Sequence, residues 1–164
     1  MEFLSRISTA TELDRIFADL SEGVSGHWDI AFIFISGFNE DSTKLIADHV
    51  REGLGLAPLI GCAGYGVIGP GKEVEDSPSV SLLLGRLPGV RCMPFYLDQS
   101  QYESLTSEEE WYDLMDVYPN EKPKFVVFTE STNTAMNAFL EGINQAYPDS
   151  PVVGALTGVD NNPR

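Results

Sequence analysis

The run Asp29-Ile-Ala-Phe-Ile-Phe-Ile-Ser36 is almost unbroken in apolar, β-branched and aromatic residues, and it predicts a central strand covered on both faces. On either side of it the apolar positions change to helical spacing. Thr9-Ala-Thr-Glu12 has the form of a capping box, and Leu13, Ile16, Phe17 and Leu20 behind it share one face, so a helix is predicted there, ending near Gly23. A second helix is predicted from about Asp41 or Ser42. It turns Leu45, Ile46, His49, Val50 and Leu54 inward and stops at Gly53 and Gly55. Leu59 to Cys62 reads as a second buried strand.

Ser79–Arg86 and Val90–Leu97 are strand-like runs separated by Leu87-Pro-Gly89, a spacing that suits an antiparallel hairpin. Ser107-Glu-Glu-Glu110 is another capping box and opens a helix burying Trp111, Leu114, Met115 and Tyr118 before Pro119. Phe125–Thr129 reads as a buried strand, Met136, Phe139, Leu140 and Ile143 line a further helix, and Pro151–Ala155 is the last strand. This alternation predicts one α/β domain over residues 1–164. Its sheet is mixed and mostly parallel, with helices on both faces and a β-hairpin.

The second strand opens into a loop along Leu59-Ile-Gly-Cys-Ala-Gly-Tyr-Gly-Val-Ile-Gly-Pro-Gly71, with glycine at 61, 64, 66, 69 and 71. Five glycines in so short a span mark a sharply turning loop whose backbone a ligand can approach. Gly64-Tyr-Gly-Val-Ile-Gly69 satisfies the letters of the dinucleotide fingerprint. That fingerprint needs a helix opening on its glycines and an acid about 20 residues later. Pro70-Gly71 opposes the helix, and Leu84 to Cys92 contains no acid. The phosphate-loop pattern fails as well, because Gly71-Lys72 is followed by Glu73 instead of a hydroxyl residue.

In α/β sheets ligands gather beyond the carboxyl ends of strands. Four strands here end in small or polar residues: at Ser36, at Cys62-Ala-Gly64, at Glu130-Ser-Thr-Asn133 and at Thr157. The candidate ligand-binding set is therefore Ser36, Gly61, Cys62, Gly64, Tyr65, Gly66, Glu130, Asn133 and Thr157. Several have a plainer reading. Ser131, Thr132 and Asn133 also supply what a helix N-cap requires, and Tyr65 either closes over a ligand or covers core. Cys62 at a strand exit suits a nucleophile only with a base at hand and a lowered thiol pKa. A small buried cysteine is the simpler assignment. Glu73, Glu75 and Asp76 are either oxygen donors to a hard cation or ammonium group, or a solvated loop.

Composition removes several function classes. With 25 Asp and Glu against 10 Lys and Arg, the net charge is -15, and a polyanion such as nucleic acid is repelled. No apolar run approaches the roughly 18 residues of a membrane helix, and Met1-Glu-Phe-Leu-Ser-Arg6 lacks a signal-peptide pattern, so a cytoplasmic protein is expected. Cys62 and Cys92 have no zinc spacing; they are read as reduced core residues, with a disulfide between them as the alternative. No metal or cofactor is expected.

Taken as an ordered set, Leu59-Ile-Gly-Cys62, Gly66-Val-Ile-Gly69, Glu73-Val-Glu75, Leu87-Pro-Gly-Val90 and Tyr147-Pro-Asp-Ser-Pro-Val-Val-Gly154 resemble the N-terminal part of a FIST domain, over about residues 29–158. Two positions depart from the pattern. Ala63 stands where members often carry a hydroxyl residue after the Cys, and Gly154-Ala155 stands where they often pair glycines. The resemblance implies an intracellular sensory module, found alone or attached to signalling proteins or to F-box proteins, that senses small ligands and is not an enzyme. Amino acids are the ligands it suggests. It also implies a second, C-terminal half, so the expected partners are that half, a second copy, or a signalling protein. Two other function classes are carried alongside: a protein-interaction module without a small ligand, and, third, a thiol hydrolase using Cys62.

Overall fold

The computed structural model describes residues 1–56, 58–130 and 135–157. They form two compact units, Met1–Pro94 and Phe95–Thr157.

The first unit is built on a four-stranded sheet of order β1-β6-β2-β3. Its strands are β1 (Glu2–Ser8), β2 (Ile30–Ser36), β3 (Leu59–Gly64) and β6 (Ser79–Arg86). β6 pairs antiparallel with both β1 and β2, and β2 pairs parallel with β3. Alternation along the strands divides the sheet faces. Ala31, Ile33 and Ile35 join Val80, Leu82 and Leu84 on one face, where they pack on Ile16 and Leu20 of α1 (Leu13–Ser21) and Ile46 and Val50 of α2 (Glu40–Leu54). The opposite face receives a hairpin, β4 (Gly66–Gly69) and β5 (Lys72–Glu75), closed by Pro70-Gly71 with Gly71 at φ 69°. Ser81 Oγ donates to the Ile68 carbonyl at 2.6 Å, fastening the hairpin down, and Val67 is buried beneath it.

The mixed α/β class and its hairpin form as the pattern predicts, but the hairpin lies at 66–75. Residues 90–97 make no strand. β6 already has β1 on one side and β2 on the other, so no edge is open to a following strand, and Pro94 interrupts any donor ladder. β1 takes the place expected for that strand. Its residues alternate poorly, with Leu4, Arg6 and Ser8 on the α1 side and Phe3, Ser5 and Ile7 on the other, which explains why the apolar pattern misses it.

Other local expectations are corrected. α1 begins at Leu13 with Glu12 as N-cap and no side-chain cap, so the Thr9–Glu12 box does not form; Ser8 Oγ instead donates to Asp19 at 2.8 Å. α2 is capped by Asn39 and ends at Gly55, whose φ of 61° lets its N–H reach back to the last turn. Leu45 is 57% exposed, because Ile46 and Val50 already fill the inward stripe. β3 is an edge strand and only half-buried.

Trp28, buried just before β2, lies under the Arg86 guanidinium, 4.1 Å from its ring centre. Arg86 also donates to the carbonyls of His27 and Ser25 and pairs with Glu2 at 2.8 Å. One side chain thus ties the end of β6 to the start of β1 and to the loop before β2.

The second unit has a parallel pair, β7 (Phe125–Glu130) and β8 (Val152–Thr157), with α3 (Gln99–Glu103), α4 (Glu108–Met115) and α5 (Met136–Ala146). The Ser107 box forms as predicted, with Ser107 and Glu110 capping each other's backbone. Trp111 and Met115 join Phe139, Ile143, Phe125 and Tyr147 in an aromatic core. Tyr118 falls beyond the helix and is exposed. The cap expected from Ser131 to Asn133 lies outside the described residues; α5 follows Ala135, which offers no side-chain cap. β8 is mostly exposed.

Candidate functional site

β2 and β3 run parallel with Ser36 opposite Gly64, so their carboxyl ends finish side by side. After Ser36 the chain reverses through Gly37 at φ 75°, packed so close to the segment entering β6 that a Cβ there would lie 2.8 Å from Pro78 Cα. α2 then starts within three residues, and Asn39 Oδ1 accepts from the Ser42 N–H at 2.9 Å. Its first turn carries Glu40 and Asp41. On the β3 side the chain turns at Tyr65, which is 67% exposed, and enters the hairpin at Gly66. Gly66 is paired with Glu75, and Asp76 follows with φ 55°. The exit is therefore a backbone-lined rim with acidic side chains on the elements that leave it.

Ser36, Gly64, Tyr65 and Gly66 are thus brought to one edge. Gly61 and Cys62 lie farther back on β3. Gly61 sits opposite Ile33 in register, and a Cβ there would overlap the Ile33 carbonyl. Cys62 is paired with Phe34. Because Gly61 and Ala63 put almost no side chain on the α2 side, a groove of about 310 Å³ opens between β3 and α2. In the second unit Glu130 and Thr157 are register partners at the carboxyl ends of β7 and β8. Asn133 lies outside the described residues.

The pattern of the sequence did not reveal the helical wall of that groove: Glu40, Thr43, Lys44, Ala47, Asp48 and Arg51. The signal was available as charges of alternating sign at helical spacing. A second cavity of about 330 Å³ lies at the β1 edge, between Arg6, Asp19, Glu22 and Lys72. It was invisible without β1. Arg6 there is committed to the Glu22 carbonyl at 2.6 Å.

The chemistry of the thiols follows from their surroundings. Cys62 and Cys92 are both free and half-buried. Burial pushes the Cys62 thiol above its ordinary value, which keeps it protonated near neutrality and works against a nucleophile. Both histidines are engaged elsewhere: His27 with Asp29 at 3.4 Å, and His49 edge-on to Phe17 with ring centres 5.1 Å apart. Among the described residues no three His, Cys, Asp or Glu side chains are grouped to hold a metal, and no helix is long and apolar enough to cross a membrane. What the β2–β3 exit offers is backbone amides and carbonyls, a buried serine, an exposed aromatic ring and nearby carboxylates.

A family model, that of the FIST N domain, matches residues 29–163, a span that includes β3, β4 and β8. The chain belongs to the FIST N domain family. No curated protein and no solved structure matches it. Membership of this family suggests a signal-transduction sensory module, and the family is not typically enzymatic. The FIST N match begins at Asp29, so β1 and α1 precede it, although β1 completes the sheet and α1 its core.

Proposed function

We propose that this FIST N domain senses a small polar ligand, of amino-acid class, bound at the carboxyl ends of β2 and β3. The observation that carries the reading is the juxtaposition of Ser36 with Gly64 in a parallel pair, the position where α/β sheets hold ligands. The Gly64–Gly66 turn supplies amides for a carboxylate, Glu40, Asp41, Glu75 and Asp76 favour an ammonium group, and Tyr65 covers the ligand. Gly61 and Cys62 extend the site along β3; Glu130, Asn133 and Thr157 remain separately proposed ligand-binding residues of the second unit. No covalent step is assigned to Cys62.

A melting-temperature screen against the common amino acids tests this. A ligand bound only by the folded state adds about 2.7 kcal/mol at a hundred times its Kd. At least one amino acid should raise the melting temperature, and Tyr65→Ala should reduce the rise. No shift with any of them at millimolar concentration overturns the proposal. The second reading, a protein-interaction module, has one observation in its favour: β8 leaves Val153 61% and Leu156 64% exposed.

A further inference from the structure

We infer that β3 and the adjoining face of α2 form a two-fold interface with a second copy of this chain. Three observations meet there. β3 is the last strand of its sheet, and its outer edge has no strand partner among the described residues. Soluble proteins protect such edges with charges, prolines or bulges. The opposite edge strand, β1, carries Glu2 and Arg6, whereas Leu59-Ile-Gly-Cys-Ala-Gly64 has no charge and no proline. The edge is left in the state that pairs with another strand.

The groove beside it decides what that strand belongs to. Its helical wall presents Glu40, Lys44, Asp48 and Arg51 in order along α2, so the charges read minus, plus, minus, plus from one end. Reversed, the same stripe reads plus, minus, plus, minus. A two-fold axis normal to the sheet, between β3 and a second β3, sets the two α2 helices antiparallel on one face. Glu40 then faces Arg51 of the other copy, and Lys44 faces Asp48. Strands repeat every ~4.8 Å, which brings helices seated over the flanking strand pairs to about 10 Å, the ordinary helix-packing distance. Gly61 and Ala63, which leave the groove open in one copy, leave room for that approach. Lys44 has no ion pair among the described residues, while Arg51 is held by Asp48 at 3.0 Å within its own helix. The face is self-complementary, as an isologous contact requires. The result is a continuous eight-stranded sheet across two chains.

This assignment does not rest on the ligand reading: it shares Gly61, Cys62 and Glu40 with that site but is argued from the outer edge of β3 and the charge order of α2. Light scattering and sedimentation should give twice 18.0 kDa, with dissociation on dilution. Ala63→Lys places a charge on the edge at an exposed position and should raise the dimer Kd by roughly tenfold or more. Lys44→Glu should weaken the dimer, and Lys44→Glu combined with Asp48→Lys should restore it, because the swap rebuilds the complement. In Cys92→Ser protein a short thiol cross-linker should join two copies through Cys62. Melting curves confirm that each variant is folded. A wild type that stays monomeric at about 1 mM overturns the inference. So does a dimer that ignores Ala63→Lys and the charge swap, or one lost instead through Val153→Asp on the exposed β8.

Discussion

Tyr147 donates its hydroxyl to the Val117 carbonyl at 2.9 Å, joining the residue after α5 to the segment after α4. The ring is fully buried, with Phe125 and Tyr112 edge-on at 5.0 and 5.4 Å between centres. Burial, reinforced by Tyr112 and Glu121, pushes the phenol up to about 12 from an ordinary value of 10.0. The folded state therefore keeps a proton that the unfolded chain gives up first.

That relationship predicts an alkaline loss of stability. A pKa raised on folding contributes stability that is complete below the unfolded value and disappears as pH rises through the folded one. Between pH 10 and about 12 the wild type should lose melting temperature more steeply than Tyr147→Phe. Near neutrality the same variant should be less stable by about 1 kcal/mol, the net worth of the lost hydrogen bond. Parallel slopes in the two proteins would contradict the assignment.

Gly142 is predicted to resist the usual gain from alanine in a helix. It lies inside α5, where a Cβ would overlap the Trp111 indole, with Cε2 2.8 Å away. Overpacking of this kind costs ~1–3 kcal/mol, against a propensity gain of about 1 kcal/mol. Gly142→Ala should be neutral to destabilising in urea unfolding. Shrinking the opposed ring in Gly142→Ala/Trp111→Phe should relieve the overlap, so the two changes should be non-additive.

These packing details mark the boundary of what the sequence made legible. β2 was readable because both of its faces are covered, so Ile30–Ile35 is apolar throughout. The Ser107–Glu110 box was readable because its bonds are local. Thr9–Glu12 offered the same letters, yet Ser8 bonds to Asp19 across the unit and the box is not made. β1 and the true hairpin were hidden because their pairing depends on which edges β6 has free, and no local pattern records that. At the site, the exits of β2 and β3 followed from strand direction alone. The charged wall of α2 did not, because its meaning arises only when the small side chains of β3 open a groove against it.

Cys62 should behave as a quiet thiol. Burial raises its pKa and both histidines are engaged elsewhere, so alkylation at neutral pH should be slower than that of a model thiol and should accelerate as pH rises. Cys62→Ala should cost about 1 kcal/mol or less for a half-buried side chain and leave any ligand-induced melting shift in place. Rapid stoichiometric labelling near neutrality would instead argue for a thiol enzyme.

The glycines of the β3–β4 turn are not equivalent probes. A Cβ on Gly66 would come 2.8 Å from the Val74 carbonyl and 3.2 Å from Glu75 Cγ, inside the paired hairpin. Gly66→Val should therefore loosen β4–β5, lower the melting temperature by an amount equivalent to ~1–3 kcal/mol, and speed hydrogen exchange at Val67, which the hairpin buries. At Gly64 the nearest neighbour of an added Cβ is the Gly66 carbonyl at 3.5 Å, an ordinary contact. Gly64→Ala should leave stability within about 0.5 kcal/mol while placing a methyl group at the exit beside Ser36. A melting shift with an amino acid that survives in Gly64→Ala unchanged would move the ligand away from the β2–β3 exit. Loss of the shift in a fully stable Gly64→Ala protein would fix it there.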